Sequence, residues 1–337
     1  MYKFLLILLI LLEFYYIQGN SASSAQIAAN YLPAGIKSVK QKSAAHGFDP
    51  EQVYGNTDDG GVVKAYRPIL FEKLRESAGI EENEFIESLR PDTLQCLNSD
   101  SKSGQAFWIS LDGKLVVKTI KQYECKTLRN ILDSYALHCL TGASTIGNIL
   151  GLYRIKGKFS GAKYILVSKN IYPTSEFQSS SLIAERFDLK GSTIGRLASP
   201  SSSVLKDLNL IQSGRLLSIG PNSKEVMLRI LQRDLQYLSK KNLMDYSLLV
   251  AVEKAGSSEE RRLQMNKNNK DGGKIMLPGM YGQVFHFGII DFLQKYTFRK
   301  MCETLIKSFY TDGKKISAVN PSYYAKRMLE FLANITQ

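Results

Sequence analysis

Lys118 sits in the run Val116-Val117-Lys118-Thr119-Ile120, enclosed by β-branched residues. A cation on a buried strand needs an anionic partner or a path to solvent. Phosphate oxygens or a helix carboxylate would both serve, and Glu124 opens the segment that follows. Upstream lies Ser101-Lys102-Ser103-Gly104-Gln105-Ala106-Phe107, a loop leading into a strand. Its glycine lets backbone N–H groups approach phosphate oxygens. Loop, lysine and glutamate together have the makings of a phosphate clamp. A plain turn followed by an edge-strand lysine reaching solvent accounts for the same residues.

A second cluster is denser. Phe187-Asp188-Leu189-Lys190-Gly191-Ser192-Thr193-Ile194-Gly195-Arg196 gathers an acid, two cations and two hydroxyls around glycines. Such a turn can present donors to a phosphate. Two aspartates stand at the borders of apolar runs: Asp245 in Met244-Asp245-Tyr246-Ser247-Leu248-Leu249-Val250, and Asp291 after Phe287-Gly288-Ile289-Ile290. Carboxylates at strand ends can hold Mg²⁺ or accept a proton. Singly, either would read as a cap or as a residue meeting solvent.

The elements that must position these residues follow from spacing. Pro68 starts a helix with Leu70, Phe71 and Leu74 on one face, and Gly79 stops it. A shorter helix spans 81–89, ahead of Pro91. Residues 105–110 and 114–120 form two strands around Asp112-Gly113, a strong hairpin signal. Leu128, Ile131, Leu132 and Tyr135 follow helical spacing. Strands return at 149–155 and 164–167. Asn222 with Glu225 reads as a capping box before a helix whose apolar stripe is Met227, Leu231, Leu235 and Leu238. Further strands lie at 247–252 and 284–292. Residues 175–183 and 197–204 are serine-rich loops, and 254–280 has the composition of a disordered insertion. Strand and helix do not alternate regularly, which favours α+β.

The chain of 337 residues is 44% hydrophobic and carries a net charge of +13, from 44 basic and 31 acidic residues. That balance suits polyanionic partners without choosing among nucleic acid, anionic lipid and phosphorylated substrate. Four cysteines without C-x-x-C spacing and three histidines give neither a zinc signature nor a disulfide framework. Each cysteine reads best as a small buried apolar residue. Residues 1–17 form a hydrophobic leader, apolar from Phe4 to Leu12 and interrupted by Glu13. It is short for a membrane span. A signal peptide, a membrane anchor, a remnant of a longer membrane segment or a misplaced start all fit it. Residues 18–61, rich in Ala, Ser, Gly and Asn, read as a linker.

Four segments together resemble, in order, the phosphatidylinositol phosphate kinase family. They are Asp188-Leu189-Lys190-Gly191-Ser192 with Arg196, the segment around Asp245, the segment ending at Asp291, and Asn320-Pro321-Ser322-Tyr323-Tyr324-Ala325-Lys326-Arg327. The resemblance spans 62–335. It implies a two-lobed lipid-kinase fold with antiparallel sheets, distantly protein-kinase-like, with an N-lobe of about 62–172 and a C-lobe of about 173–335. The active site would lie in the cleft between them. ATP and Mg²⁺ are the implied cofactors. By the resemblance, Lys118 holds the ATP phosphates, assisted by Glu124, and the loop with Ser103 and Gly104, running to Phe107, covers them. Asn170 and Ile171 would flank adenine. Lys190 would neutralise the transferring phosphoryl group, Asp245 would be the catalytic aspartate, and Asp291 the metal ligand.

The resemblance also assigns lipid recognition to the loop after Asp291. Arg196, Lys300, Glu303 and Lys307 are the implied substrate contacts. Residues 295–327 hold eight basic and two acidic residues, with Tyr296, Phe298, Phe309 and Tyr310 available to an interface. Glu303 matches the glutamate of type I enzymes, which act on phosphatidylinositol 4-phosphate at the 5-hydroxyl, and of the branch using the 3-phosphate lipid. Type II enzymes usually carry alanine there. Two departures stand out: Met301 follows Lys300 where a lysine pair is common, and Thr304 replaces a frequent histidine. The implied protein is an ATP-dependent phosphatidylinositol-4-phosphate 5-kinase, membrane-associated on the cytoplasmic face. The alternatives are a 3-phosphate 5-kinase and a catalytically weak phosphoinositide-binding scaffold. An anionic membrane and a phosphoinositide are the expected partners, nucleic acid is not, and a homodimer is admitted without any residue deciding it.

Overall fold

The computed structural model describes residues 32–40, 42, 51–56, 61–97, 106–157, 161–171, 183–254, 275–297 and 320–337. The hydrophobic leader, Ser103, Gly104, Lys300, Glu303 and Lys307 lie outside the described residues. Among the described residues, no helix is long and apolar enough to cross a membrane. The chain divides into two compact units, residues 1–125 with 149–170, and residues 126–148 with 171–337. The expected lobe boundary therefore shifts: residues 126–148 group with the second unit.

The first unit is built on a seven-stranded antiparallel sheet. Its strands are β1 (Gln52–Asn56), β2 (Val62–Tyr66), β3 (Leu94–Leu97), β4 (Phe107–Ser110), β5 (Leu115–Ile120), β6 (Ile149–Lys156) and β7 (Lys163–Lys169), in the order β1-β2-β6-β7-β5-β4-β3. The Asp112-Gly113 hairpin forms as read. Gly113 takes φ 68°, and Asp112 Oδ1 accepts from the Lys114 N–H at 3.0 Å while Oδ2 accepts from the Ser88 hydroxyl at 2.6 Å. Helix α1 covers 32–40, α2 is Pro68–Ser77 and α3 is Glu82–Glu87. In α2 the buried face is Phe71, Leu74 and Arg75, with Leu70 only half-buried. Arg75 is tolerated there because Nε meets Glu82 at 2.7 Å, Nη1 donates to the Leu150 carbonyl at 2.7 Å, and the Phe85 ring lies 4.6 Å away.

The segment read as a linker is partly structured. Helix α1 buries Leu32, Ile36 and Val39, and β1 pairs with β2. The small residues that suggested a linker permit close packing instead: a Cβ on Gly35 would lie 2.2 Å from Val63 Cγ2. A cavity of about 240 Å³ opens beside α1, α2, β2 and β6, lined by Ile36, Val39, Phe71 and Tyr153 among others, and holds none of the candidate site residues.

The second unit contains most of α4 (Gln122–Leu140), together with α5 (Asp207–Gln212), α6 (Pro221–Lys240) and α7 (Pro321–Ile335). Its sheet has strands β8 (Ile183–Leu189), β9 (Leu205–Lys206), β10 (Ser247–Glu253), β11 (Ile275–Pro278) and β12 (Val284–Ile290), in the order β11-β12-β10-β8-β9. Only β8 and β9 run parallel. The stripe Met227, Leu231, Leu235 and Leu238 is buried, as the spacing predicts, and α6 packs against α7. Each such leucine contributes about 1.5–3 kcal/mol by leaving water.

Two expectations in this unit are corrected. Residues 275–278, counted with the disordered insertion, form β11 and pair Ile275 with Phe287; residues 255–274 lie outside the described residues. Asn222 is not a cap. Gly220 caps α6 with φ 78° and Pro221 occupies the first turn, so Asn222 already lies inside the helix. Of the cysteines, Cys125 is buried and burial pushes the Cys139 thiol up to about 12, but Cys96 is exposed on the edge strand β3.

Candidate functional site

Sheet register brings three of the candidate residues to one edge of the second unit. Leu248 of β10 pairs with Leu189 of β8, so Lys190 follows β8 at the level where β10 begins. Ser247 of β10 pairs with Ile290 of β12, so Asp291 leaves β12 beside the segment that carries Asp245 into β10. Three neighbouring strands thus deliver a lysine and two aspartates at the same end. Lys190 Nζ donates to Asp245 Oδ1 at 2.7 Å and to the Asp245 carbonyl at 2.9 Å.

The backbone marks the same residues. Only four described non-glycine residues have positive φ, and two of them are Asp245 (63°) and Asp291 (57°). Left-handed backbone is unfavourable for residues with a Cβ, and it persists where surrounding contacts enforce it. A strand that ended merely to meet solvent would need no such turn. Asp291 is exposed, and the Asp245 side chain is about one-third exposed at 35%. Both carboxylates are therefore reachable from water.

Asp207, which the sequence reading did not single out, organises the lysine turn. It is fully buried at 0% exposure and lies at the start of α5. Its Oδ1 accepts from the N–H groups of Lys190 at 2.9 Å, Gly191 at 2.8 Å and Ser192 at 3.4 Å. Its Oδ2 accepts from Arg196 Nε at 2.7 Å. Arg196, expected to touch substrate, is buried; its Nη2 donates to Asp188 Oδ1 at 2.8 Å and to the Asp188 carbonyl. Burial opposes the guanidinium charge, but Asp188 and Asp207 outweigh it and hold the group above its ordinary value. In the structure, Arg196 braces the turn that presents Lys190.

A second buried carboxylate, Asp234 on α6, ties down the loop ahead of β6. It accepts from the Thr145 N–H at 2.5 Å, the Thr145 hydroxyl at 2.7 Å and the Ser144 hydroxyl at 3.0 Å, and it meets His138 Nε2 at 2.6 Å. The Thr145 carbonyl in turn accepts from the Ile289 N–H at 2.6 Å, and Gly147 N–H donates to the Ile289 carbonyl at 2.9 Å. Ile289 lies two residues before Asp291. Ile171 packs on the same strand so closely that a Cβ on Gly288 would lie 2.2 Å from Ile171 Cδ1.

Within the first unit, Lys118 stands on β5 between β7 and β4, paired with Leu166 and Phe107. It is half-buried on an interior strand, which removes the edge-strand reading. Glu124 Oε2 accepts from the Lys121 N–H at 2.7 Å, closing the first turn of α4. Asn170 is buried. Its Nδ2 donates to the Gly113 carbonyl at 2.8 Å and its N–H to the Lys114 carbonyl at 2.8 Å, so it secures the β4–β5 hairpin.

Mg²⁺ in phosphoryl transfer is held by one or two carboxylates together with substrate phosphates. Asp245 and Asp291, two hard oxygen donors on adjacent strand ends, fit that requirement. No group of three or more His, Cys, Asp or Glu with metal-site geometry occurs among the described residues. The arrangement is suited to a cation shared with phosphates, and it lacks the ligand count of an all-protein cage.

The sequence is similar to that of known proteins along most of its length. The profile of the family described as Phosphatidylinositol-4-phosphate 5-Kinase matches residues 88–276 and 276–335. The phosphatidylinositol 5-phosphate 4-kinase type-2 alpha of Sus scrofa is 29% identical over 366 residues, covering 94% of this chain and 87% of its own. The type-2 beta enzyme of Homo sapiens is 26% identical over 371 residues, covering 94% and 86%. The phosphatidylinositol 4-phosphate 5-kinase of Plasmodium falciparum is 28% identical over 321 residues, covering 81% of this chain and 18% of that much longer protein.

Proposed function

Because the chain belongs to the phosphatidylinositol phosphate kinase family, we propose that it moves the γ-phosphoryl group of ATP onto the 5-hydroxyl of phosphatidylinositol 4-phosphate, at the cytoplasmic face of an anionic membrane. The observation that carries the chemistry is the Lys190–Asp245 pair beside Asp291 at one edge of the second unit's sheet. Phosphoryl transfer depends on positioning and on neutralising charge spread over the moving group. Lys190 supplies a cation already oriented by Asp245. Asp245 orients the lipid hydroxyl and accepts its proton. Asp291 holds Mg²⁺, which when bound neutralises phosphate oxygens.

Glu303 supports the choice of hydroxyl, since it matches type I enzymes and departs from the alanine usual in type II. A second reading has its own support in the relatives named 5-phosphate 4-kinases. Both reactions give phosphatidylinositol 4,5-bisphosphate, so the substrate and not the product separates them. The 3-phosphate lipid is the third substrate to test, and binding without turnover is the scaffold outcome.

The test is transfer from labelled ATP to vesicles carrying each monophosphorylated phosphatidylinositol in turn, with Asp291→Asn beside the wild type. The expected result is bisphosphate product chiefly from the 4-phosphate lipid and at least about a hundredfold loss in the variant. Preference for the 5-phosphate or 3-phosphate lipid would reassign the substrate. Absence of product from all three, with vesicle binding intact, would sink the enzyme reading.

A further inference from the structure

The segment Asn320–Arg327 has no part in the chemistry above, yet α7 touches the residue that follows each half of the Lys190–Asp245 pair, Gly191 and Tyr246. The Tyr324 side chain is fully buried, at 0% exposure, and its hydroxyl donates to the backbone carbonyl of Tyr246. The Tyr324 ring meets the Tyr246 ring edge-on, with centroids 4.7 Å apart at 75°. The Arg327 guanidinium lies 5.1 Å from the Tyr324 ring centroid. On the other side, α7 abuts the lysine turn. A Cβ on Gly191 would lie 3.2 Å from Met328 Cα and 3.4 Å from the Arg327 carbonyl oxygen, and Gly191 itself has φ 61°.

Successive carbonyls are therefore gripped from two directions. The Asp245 carbonyl accepts from Lys190 Nζ, and the Tyr246 carbonyl accepts from Tyr324. Asp245, whose backbone has φ 63°, directly precedes the two peptides so held. A left-handed aspartate relaxes unless the adjoining backbone is fixed; Lys190 holds the peptide that follows Asp245, and Tyr324 holds the next one, which keeps the first from swinging. We infer that Tyr324 is a positioning residue: its hydroxyl, presented by α7, holds the Asp245 backbone in the conformation that aims the carboxylate at Lys190 and at the substrate hydroxyl.

This inference rests on the proposed kinase reading and is tested within it. Tyr324→Phe removes the hydroxyl and keeps the ring and its edge-on contact. On whichever monophosphate the wild type uses, the variant's kcat is expected to fall about tenfold, while KM for ATP stays within about twofold. Ser322→Ala removes the Ser239–Ser322 hydroxyl contact on the same helix, 3.1 Å long, and is expected to retain wild-type kcat. The deciding measurement is the cycle with Asp245→Asn, run well below the melting temperature of every variant. If Tyr324 acts through Asp245, the double variant is no slower than Asp245→Asn alone. Independent, multiplying losses would overturn the inference, as would a Tyr324→Phe kcat within twofold of wild type. A wild-type chain that phosphorylates none of the three lipids sinks the kinase reading and this inference together. An active wild type with an indifferent Tyr324→Phe sinks the inference alone.

Discussion

Arg196 reaches Asp207 through Nε and Asp188 through Nη2, with its side chain only 9% exposed. Its position after the Asp188–Ser192 turn is the same whether it contacts lipid or braces the turn, so position alone could not separate the roles. Burial separates them. Removing one partner of a buried, hydrogen-bonded pair leaves the other charge uncompensated. Arg196→Met is therefore expected to destabilise the protein by about 3–5 kcal/mol, read by chemical denaturation, with loss of activity following from the loosened Lys190 turn. Arg196→Lys should rescue little, because an ammonium cannot reproduce the forked contact with two carboxylates. A variant with unchanged stability and only a raised KM for lipid would return Arg196 to the lipid-contacting role.

At the scale of elements, Asp234 links α6 to the 141–148 loop, and that loop to β12 through Ile289. Hydrogen bonds to a buried charge contribute about 1.5–3 kcal/mol each. Asp234→Asn replaces one acceptor oxygen by a donor facing other donors, so a loss of about 3 kcal/mol is expected. Because β12 leads directly into Asp291, the Mg²⁺ concentration for half-maximal activity should rise as well. Thr145→Val, which removes only one hydroxyl bond, should show the same trend at about 1 kcal/mol. A fall in stability with unchanged Mg²⁺ dependence would confine Asp234 to holding the loop. Neither Asp207 nor Asp234 was legible in the sequence, and the reason is physical. Arg196 lies 11 residues from Asp207, and Thr145 lies 89 residues from Asp234, so no local pattern announces either hub. What periodicity and turn chemistry control locally was legible: the buried faces of α4 and α6, the Asp112-Gly113 hairpin, the strand bearing Lys118, and the strands that Asp245 and Asp291 border. Helix α1 was hidden because its small residues mimic a linker, and β11 because four residues beside a polar tract carry no period. The cap of α6 was misread because Asn222 and Glu225 satisfy the spacing rule, while Gly220-Pro221 had already started the helix.

For the whole molecule, the governing quantity is charge. The net charge is +13, and residues 295–327, with eight basic and two acidic residues, carry nearly half of it. A kinase whose acceptor is a lipid must hold itself at the bilayer while the site turns over, and a basic segment offers about 1 kcal/mol per lysine or arginine near an anionic surface. Lys300 and Lys307 are the two positions of that segment singled out for lipid contact. Such attraction is long-ranged only at low salt, because the screening length shrinks to about 8 Å at physiological ionic strength. Binding to vesicles containing phosphatidylserine should therefore weaken on the order of tenfold as salt rises from about 0.05 to 0.5 M. It should be far weaker at any salt when the vesicles are made of phosphatidylcholine alone. Reversing Lys300 and Lys307 to glutamate should lower the low-salt affinity and flatten the salt dependence together, since both measure the same charges. Turnover of a short-chain, water-soluble phosphoinositide should respond much less, because that substrate needs no bilayer. Vesicle sedimentation at a series of salt concentrations gives the first two quantities, and a soluble-substrate assay gives the third. Affinity indifferent to salt and to phosphatidylserine would remove electrostatics from docking and leave the apolar and aromatic residues of the same segment as the attachment to the membrane.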